Sequence, residues 1–273
     1  DDVLGYALSE ICFTGPPERL TQTDVCQPAL VATSIAAWRV ACEHGQQADL
    51  VIGHSLGEYS ALVAAGAITF AEALKLVAER GAAMQEAATA SPGAMAALLG
   101  STDADAEALC DGAGDVWPAN YNCPGQVVVS GTADGIDRLL RLVSDRGGKA
   151  ARLQVAGAFH SPLMEPAAKR LAPALGAWTP VSPEPAFLSS TTCMIEPAAR
   201  LREVLLSQLT SPVRFGAAVQ EALDQGRATG RTVGTIYAWG ALGSIVGTFA
   251  AGFHLVPAMG TGGLMDGTPR LSR

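Results

Sequence analysis

Residues 53–57 read Gly-His-Ser-Leu-Gly, the G-x-S-x-G spacing that can make a serine into a nucleophile. Such a serine sits on a sharp turn between a strand and a helix, which lifts its oxygen clear of the sheet. Small residues at both ends, Gly53 and Gly57, let the backbone close on itself there. The amides that open the following helix, beginning with Leu56, then face the negative charge developing on a carbonyl under attack. The bland reading makes Ser55 a helix cap in a glycine-rich turn; a strand before it and a helix after it favour the nucleophile.

A serine hydroxyl needs a base at neutral pH, and the chain has four histidines. His54 points away from a tight elbow. His44 sits at a helix C-terminus, where a cation suits the dipole without any catalytic role, and His254 lies in an apolar tail. That leaves His160, in Ala158-Phe159-His160-Ser161-Pro162, after a strand and before a proline-started helix, where catalytic groups concentrate. By spacing alone, a catalytic and a structural His160 are equally supported.

Hydrophobic patterning supplies the elements that must position these groups. A helix is expected from Pro28 to Cys42 with Gly45 past its end. A short buried strand follows at 49–53, then a helix from Leu56 to Ala65. Thr69-Phe70-Ala71-Glu72 is a capping box opening an amphipathic helix to Met84 or Ala88. Residues 93–155 change rhythm and read β-α-β-β-α-β, the order of a ferredoxin-like unit. Beyond it come a helix at 162–175, a proline-rich turn, a strand at 186–190 and helices near 198–209 and 212–223. The expected fold class is α/β. A parallel-sheet core spans 1–90 and 158–226, a small subdomain is inserted over 91–157, and an apolar glycine-rich tail occupies 227–273.

Composition narrows the function classes. Of 273 residues, 49% are hydrophobic and 16% charged, against about 25% charged in an average soluble domain; a disordered chain has the opposite balance. Net charge is −8 and no run of Lys/Arg occurs, so a general nucleic-acid binder is excluded. The six cysteines lack metal-ligand spacing and suit a reducing cytosol as small buried hydrophobes. The chain opens Asp1-Asp2 without a basic and apolar leader, so a signal peptide is not expected. From Thr232 to Met265 there is no Asp, Glu, Lys or Arg. The 232–256 stretch is long enough to cross a bilayer as a helix, and equally suits a buried glycine-rich core segment.

Three stretches taken together resemble the malonyl-CoA:acyl carrier protein transacylases, the free-standing fatty-acid enzymes and the acyltransferase domains of polyketide synthases. They are Gly53-His-Ser-Leu-Gly-Glu-Tyr-Ser60, Asn122-Cys-Pro-Gly-Gln-Val-Val-Val-Ser-Gly131 and Ala158-Phe-His-Ser-Pro-Leu-Met164, and the resemblance covers roughly residues 5–226. It implies an α/β-hydrolase-like core with an inserted ferredoxin-like subdomain. It implies Ser55 as the acylated serine, Leu56 as an oxyanion amide, and His160 as the base, oriented by the backbone carbonyl of Gln208. Arg80 would pair with the malonyl carboxylate, a pairing that suits the bidentate geometry of a guanidinium. The bulk of Phe159 would crowd an α-methyl branch.

The implied reaction is ping-pong, in the cytoplasm, with malonyl-CoA and an acyl carrier protein as partners and no metal or redox cofactor. Carrier proteins are usually acidic, so an acidic enzyme needs a local basic patch; Arg138, Arg141, Arg146, Lys149 and Arg152 are the candidates, with an ordinary solvated face as the alternative. The resembling proteins also carry a Phe-Pro-Gly-Gln-Gly motif near their start and a Gly-Pro-Gly loop near their end, neither of which occurs here. Two other readings stand beside this one. An α/β-hydrolase esterase or thioesterase predicts an Asp or Glu partner for the histidine and a pocket without a buried arginine; a truncated, inactive acyltransferase remnant is the third.

Overall fold

The computed structural model describes residues 1–225 except Ala156; the expectations for the 227–273 tail, including a membrane-spanning 232–256 segment, lie outside the described residues. The N-terminal stretch forms two short helices, α1 (Leu8–Thr14) and α2 (Pro17–Leu20), before the long α3 (Thr23–Glu43). The strand β1 (Leu50–Ile52) leads into α4 (Gly57–Ala64) and then α5 (Phe70–Ala90). Next come β2 (Gly93–Leu99), α6 (Asp103–Ala113), β3 (Val116–Cys123), β4 (Gln126–Thr132), α7 (Ala133–Asp145) and β5 (Lys149–Arg152). A 3-10 turn at Pro162–Met164 precedes α8 (Glu165–Ala177) and β6 (Ala186–Leu188), and a second at Ala198–Arg200 precedes α9 (Leu201–Ser207) and α10 (Phe215–Asp224).

Several expected boundaries shift by a few residues, and the start of α3 moves by a full turn. Pro28 does not open α3 but lies inside it, although proline removes one helical hydrogen bond. Tertiary contacts hold the earlier turn in place. Val25 and Gln27 are buried, and Gln27 is hydrogen-bonded to both Arg80 and Met84 of α5. The capping box at Thr69 forms as expected, Thr69 accepting from the Glu72 amide and Glu72 from the Thr69 amide. An equivalent box at Thr102 and Asp105 opens α6.

Among the described residues the strands make two sheets. β1 and β6 pair in parallel, Leu50 opposite Ala186 and Ile52 opposite Leu188. The other four are antiparallel in the order β3-β4-β2-β5, the ferredoxin-like arrangement. Side chains alternate across this sheet. Ala94, Ala96 and Leu98 of β2 pack under α6 and α7 with Leu109, Ile136 and Leu139, while Met95 and Ala97 face the other way with Ala119, Val128 and Phe159. Phe159 also packs on the main core of α3, α4, α5, α8 and β6 side chains. The edge strand β3 is tied to the approach to α10, Tyr121 N–H donating to Val213 O and Val213 N–H to Ala119 O, both at 2.8 Å.

Candidate active site

Ser55 lies between β1 and α4 with φ of 52°, a left-handed conformation that costs a non-glycine residue about 1–3 kcal/mol and concentrates at functional turns. A Cβ on Gly53 would stand 2.1 Å from the Glu58 nitrogen and the Gly57 carbonyl carbon, so this glycine is required by close approach. Gly57 is not: a Cβ there meets nothing within 4 Å, which corrects the expectation that both ends of the motif must be small. Leu56 is the N-cap of α4, so its amide stands at the positive end of that helix beside Ser55.

His160 also has positive φ, 58°, and is held from both sides. Ser130 of β4 donates to the Phe159 carbonyl at 2.7 Å, and Ser161 donates to the Ala158 carbonyl at 2.6 Å. Ser55 Oγ lies 2.7 Å from His160 Nε2, and His160 Nδ1 lies 2.8 Å from the Gln208 carbonyl. A carbonyl only accepts, so Nδ1 carries the proton and Nε2 is free to receive that of Ser55. Gln208 is the C-cap of α9, where the last carbonyls of a helix lack intrahelical partners. No carboxylate is needed to orient the ring. Burial first, and the positive charge of Arg80 second, push His160 down to about 3, so the imidazole is neutral at physiological pH, with the Nε2 lone pair facing Ser55.

Arg80, on α5, is 1% exposed. Nη1 donates to Gln27 Oε1 at 2.7 Å, while Nη2 donates to Ser55 Oγ at 3.0 Å and to Gln208 Oε1 at 2.9 Å. Its Nε has no acceptor among the described residues, so donor capacity remains for an anion. The guanidinium carbon lies 5.9 Å from the Tyr59 ring centroid, a cation–π distance. Sequence reasoning named Ser55, Leu56, Arg80, Phe159, His160 and Gln208. The structure gathers Ser55, His160, Arg80 and Gln208 into one hydrogen-bonded cluster, with Phe159 adjoining through the chain and Leu56 beside Ser55.

Two further polar residues join the cluster, neither of them expected from sequence. Gln27 precedes the proline that disguises the start of α3. Glu58 is wholly buried one turn past the elbow and contacts the Gln208 side chain. His54 turns away from Ser55, as expected, and its Nε2 meets Asn122 Oδ1 at 2.8 Å; burial lowers its pKa. The basic patch is partly spent. Arg138 donates to the Ala113 and Gly114 carbonyls and Arg152 pairs with Asp137, whereas Arg141, Arg146 and Lys149 are exposed.

The family described as "Acyl transferase domain" matches residues 1–234. The malonyl CoA-acyl carrier protein transacylase of Bacillus subtilis is 43% identical over 238 residues, covering 84% of this chain and 74% of the relative. That of Salmonella typhimurium is 40% identical over 229 residues, covering 82% and 74%. The solved transacylase of Coxiella burnetii superposes with a TM-score of 0.80 at 39% identity, covering 82% of this chain and 73% of that one. A malonyl-transacylase in complex with its type II PKS acyl-carrier protein gives 0.80 at 38% identity, covering 90% and 82%. The chain belongs to the acyl transferase domain family, in the group of malonyl CoA-acyl carrier protein transacylases.

Proposed function

We propose that this protein moves a malonyl group from malonyl-CoA to the phosphopantetheine thiol of an acyl carrier protein, through a malonyl ester on Ser55. The observation that carries the reading is the buried Arg80 guanidinium, 3.0 Å from the Ser55 oxygen. A buried cation at that distance suits an acyl chain that ends in a carboxylate a few bonds from the carbonyl under attack. The names of the relatives support the same donor and acceptor.

In the first half-reaction Ser55 Oγ attacks the thioester carbonyl and its proton passes to His160 Nε2. The oxyanion is drawn toward the N-terminal end of α4, where the Leu56 amide stands. Collapse expels CoA as a thiolate, which takes the proton from His160, leaving malonyl-Ser55 and free CoA thiol. In the second half the carrier thiol gives its proton to His160 and attacks the ester; Ser55 leaves and recovers the proton. These displacements draw on no metal or redox cofactor. Phe159 stands between the main core and the small sheet, where its bulk would limit branching at the α-carbon. Arg141, Arg146 and Lys149 are the cations left to meet an acidic carrier, and six free cysteines suit a reducing cytoplasm.

Incubation with malonyl-CoA, followed by intact-protein mass spectrometry, tests the reading. One malonyl unit on the wild-type chain and none on Ser55→Ala is the expected result; folded wild-type protein that stays unmodified would sink it.

A further inference from the structure

Glu58 is a buried carboxylate that the proposed chemistry does not use. Its Oε1 accepts from Ser189 Oγ at 2.8 Å, from the Ser190 amide at 2.7 Å and from Ser190 Oγ at 3.1 Å, all just past β6. Its other oxygen accepts from Gln208 Nε2. Burial raises its pKa, and these four donors act against that rise by favouring the anion.

The Gln208 amide is therefore constrained from three directions. Arg80 can only donate, so it requires Oε1; Glu58 and the Ser55 carbonyl accept, so both require Nε2. Gln208 also orients His160 through its backbone carbonyl. One residue thus touches the base through its main chain and the guanidinium through its side chain, and Glu58 and the Ser55 carbonyl together set which way that side chain faces.

We propose that Glu58 is a positioning residue for acyl-group selection. By holding the Gln208 amide with its oxygen toward Arg80, it keeps the guanidinium where a malonyl carboxylate can reach it. The inference rests on the reading of Arg80 given above. Glu58→Gln is the informative substitution because it is nearly isosteric. The Ser190 N–H still demands an oxygen, so the new amide must present its NH2 to Gln208. Two donors then face each other, and only the Ser55 carbonyl still holds the Gln208 NH2 away from Arg80, so the amide loses its second tether and the placing of its oxygen on Arg80 is weakened.

The test compares acylation of Ser55 by malonyl-CoA and by acetyl-CoA in wild type, Glu58→Gln, Arg80→Ala and the double variant. Glu58→Gln should lose on the order of 10- to 100-fold in kcat/KM toward malonyl-CoA, the range for one misplaced hydrogen bond to a charged group. It should lose far less toward acetyl-CoA and add nothing to selectivity once Arg80 is gone. Equal losses for both donors, or additivity with Arg80→Ala, would reduce Glu58 to a structural role and overturn the inference. Equal losses in Arg80→Ala itself would overturn the underlying reading instead. Should Glu58→Gln not fold, Gln208→Met removes the amide and keeps the carbonyl. Its malonyl-to-acetyl ratio of kcat/KM should fall whatever its absolute rate, and an unchanged ratio would again overturn the inference.

Discussion

Arg80 Nη2 donates to Ser55 Oγ over 3.0 Å, so the guanidinium proposed to bind the malonyl carboxylate and the proposed nucleophile share a hydrogen bond. In the proposed reaction the substrate carboxylate competes with the serine oxygen for the same guanidinium.

Replacing Arg80 with alanine should separate donors rather than abolish chemistry. Malonyl transfer is expected to fall by ~100-fold or more, as for loss of a charged bidentate contact, with acetyl transfer reduced far less. Steady-state kinetics with the two CoA esters checks this, and matching losses would remove Arg80 from carboxylate binding.

The displaced titration of His160 has a signature in stability. An unfolded histidine takes its proton near pH 6.5, whereas the folded one does so at about 3. Between those values the unfolded chain binds a proton that the native state refuses. The contribution of His160 is therefore intact above pH 6.5 and lost as pH falls toward 3, by up to about 1.4 kcal/mol per pH unit. Urea denaturation of wild type and His160→Gln at several pH values should show a shallower acid decline in the variant. Parallel curves would contradict the assignment.

The two glycines of the elbow should behave differently. Gly53→Ala places a methyl group 2.1 Å from backbone atoms and is expected to abolish soluble folding or acylation. Gly57→Ala meets open space at the first position of α4 and should change stability by less than about 1 kcal/mol, in the stabilising direction. Thermal unfolding distinguishes them; comparable damage from both would refute the packing account.

Within the basic patch, Arg138 and its neighbours should part company. Arg138→Ala strips a guanidinium from the two carbonyls at the end of α6 and should cost about 1 kcal/mol of stability. Arg141→Glu with Lys149→Glu should instead raise KM for an acidic carrier protein several-fold, most strongly at low salt, leaving acylation from malonyl-CoA intact. A KM for the carrier that ignores both charge reversals would place docking elsewhere.

Local rules made much of the fold readable. The strand-elbow-helix at 50–64, the capping box at Thr69 and the β-α-β-β-α-β order of 93–152 follow from apolar periodicity and hydrogen bonds between near neighbours in the chain. Boundaries slipped where distant contacts compete with local preference. Pro28 stands within α3 because Gln27 is anchored on α5, a contact that spans more than fifty residues of chain. Likewise Gln27, Glu58 and the Gln208 side chain carry no spacing signal, since each acquires its role only from partners on other elements.

By itself the sequence pointed to Ser55 as the candidate nucleophile, through a five-residue motif whose first glycine and flanking elements are local necessities, and through its resemblance to a family it singled out His160, Arg80 and Gln208. Only the tertiary structure decided how those residues act together. It alone sets a 2.7 Å serine–histidine contact, a backbone carbonyl as the orienting group, and a glutamine amide held between an arginine and a buried glutamate. The reason is physical. Motifs record what neighbouring residues do to the backbone, whereas hydrogen-bond direction, burial and shifted protonation depend on which distant groups the fold brings into contact.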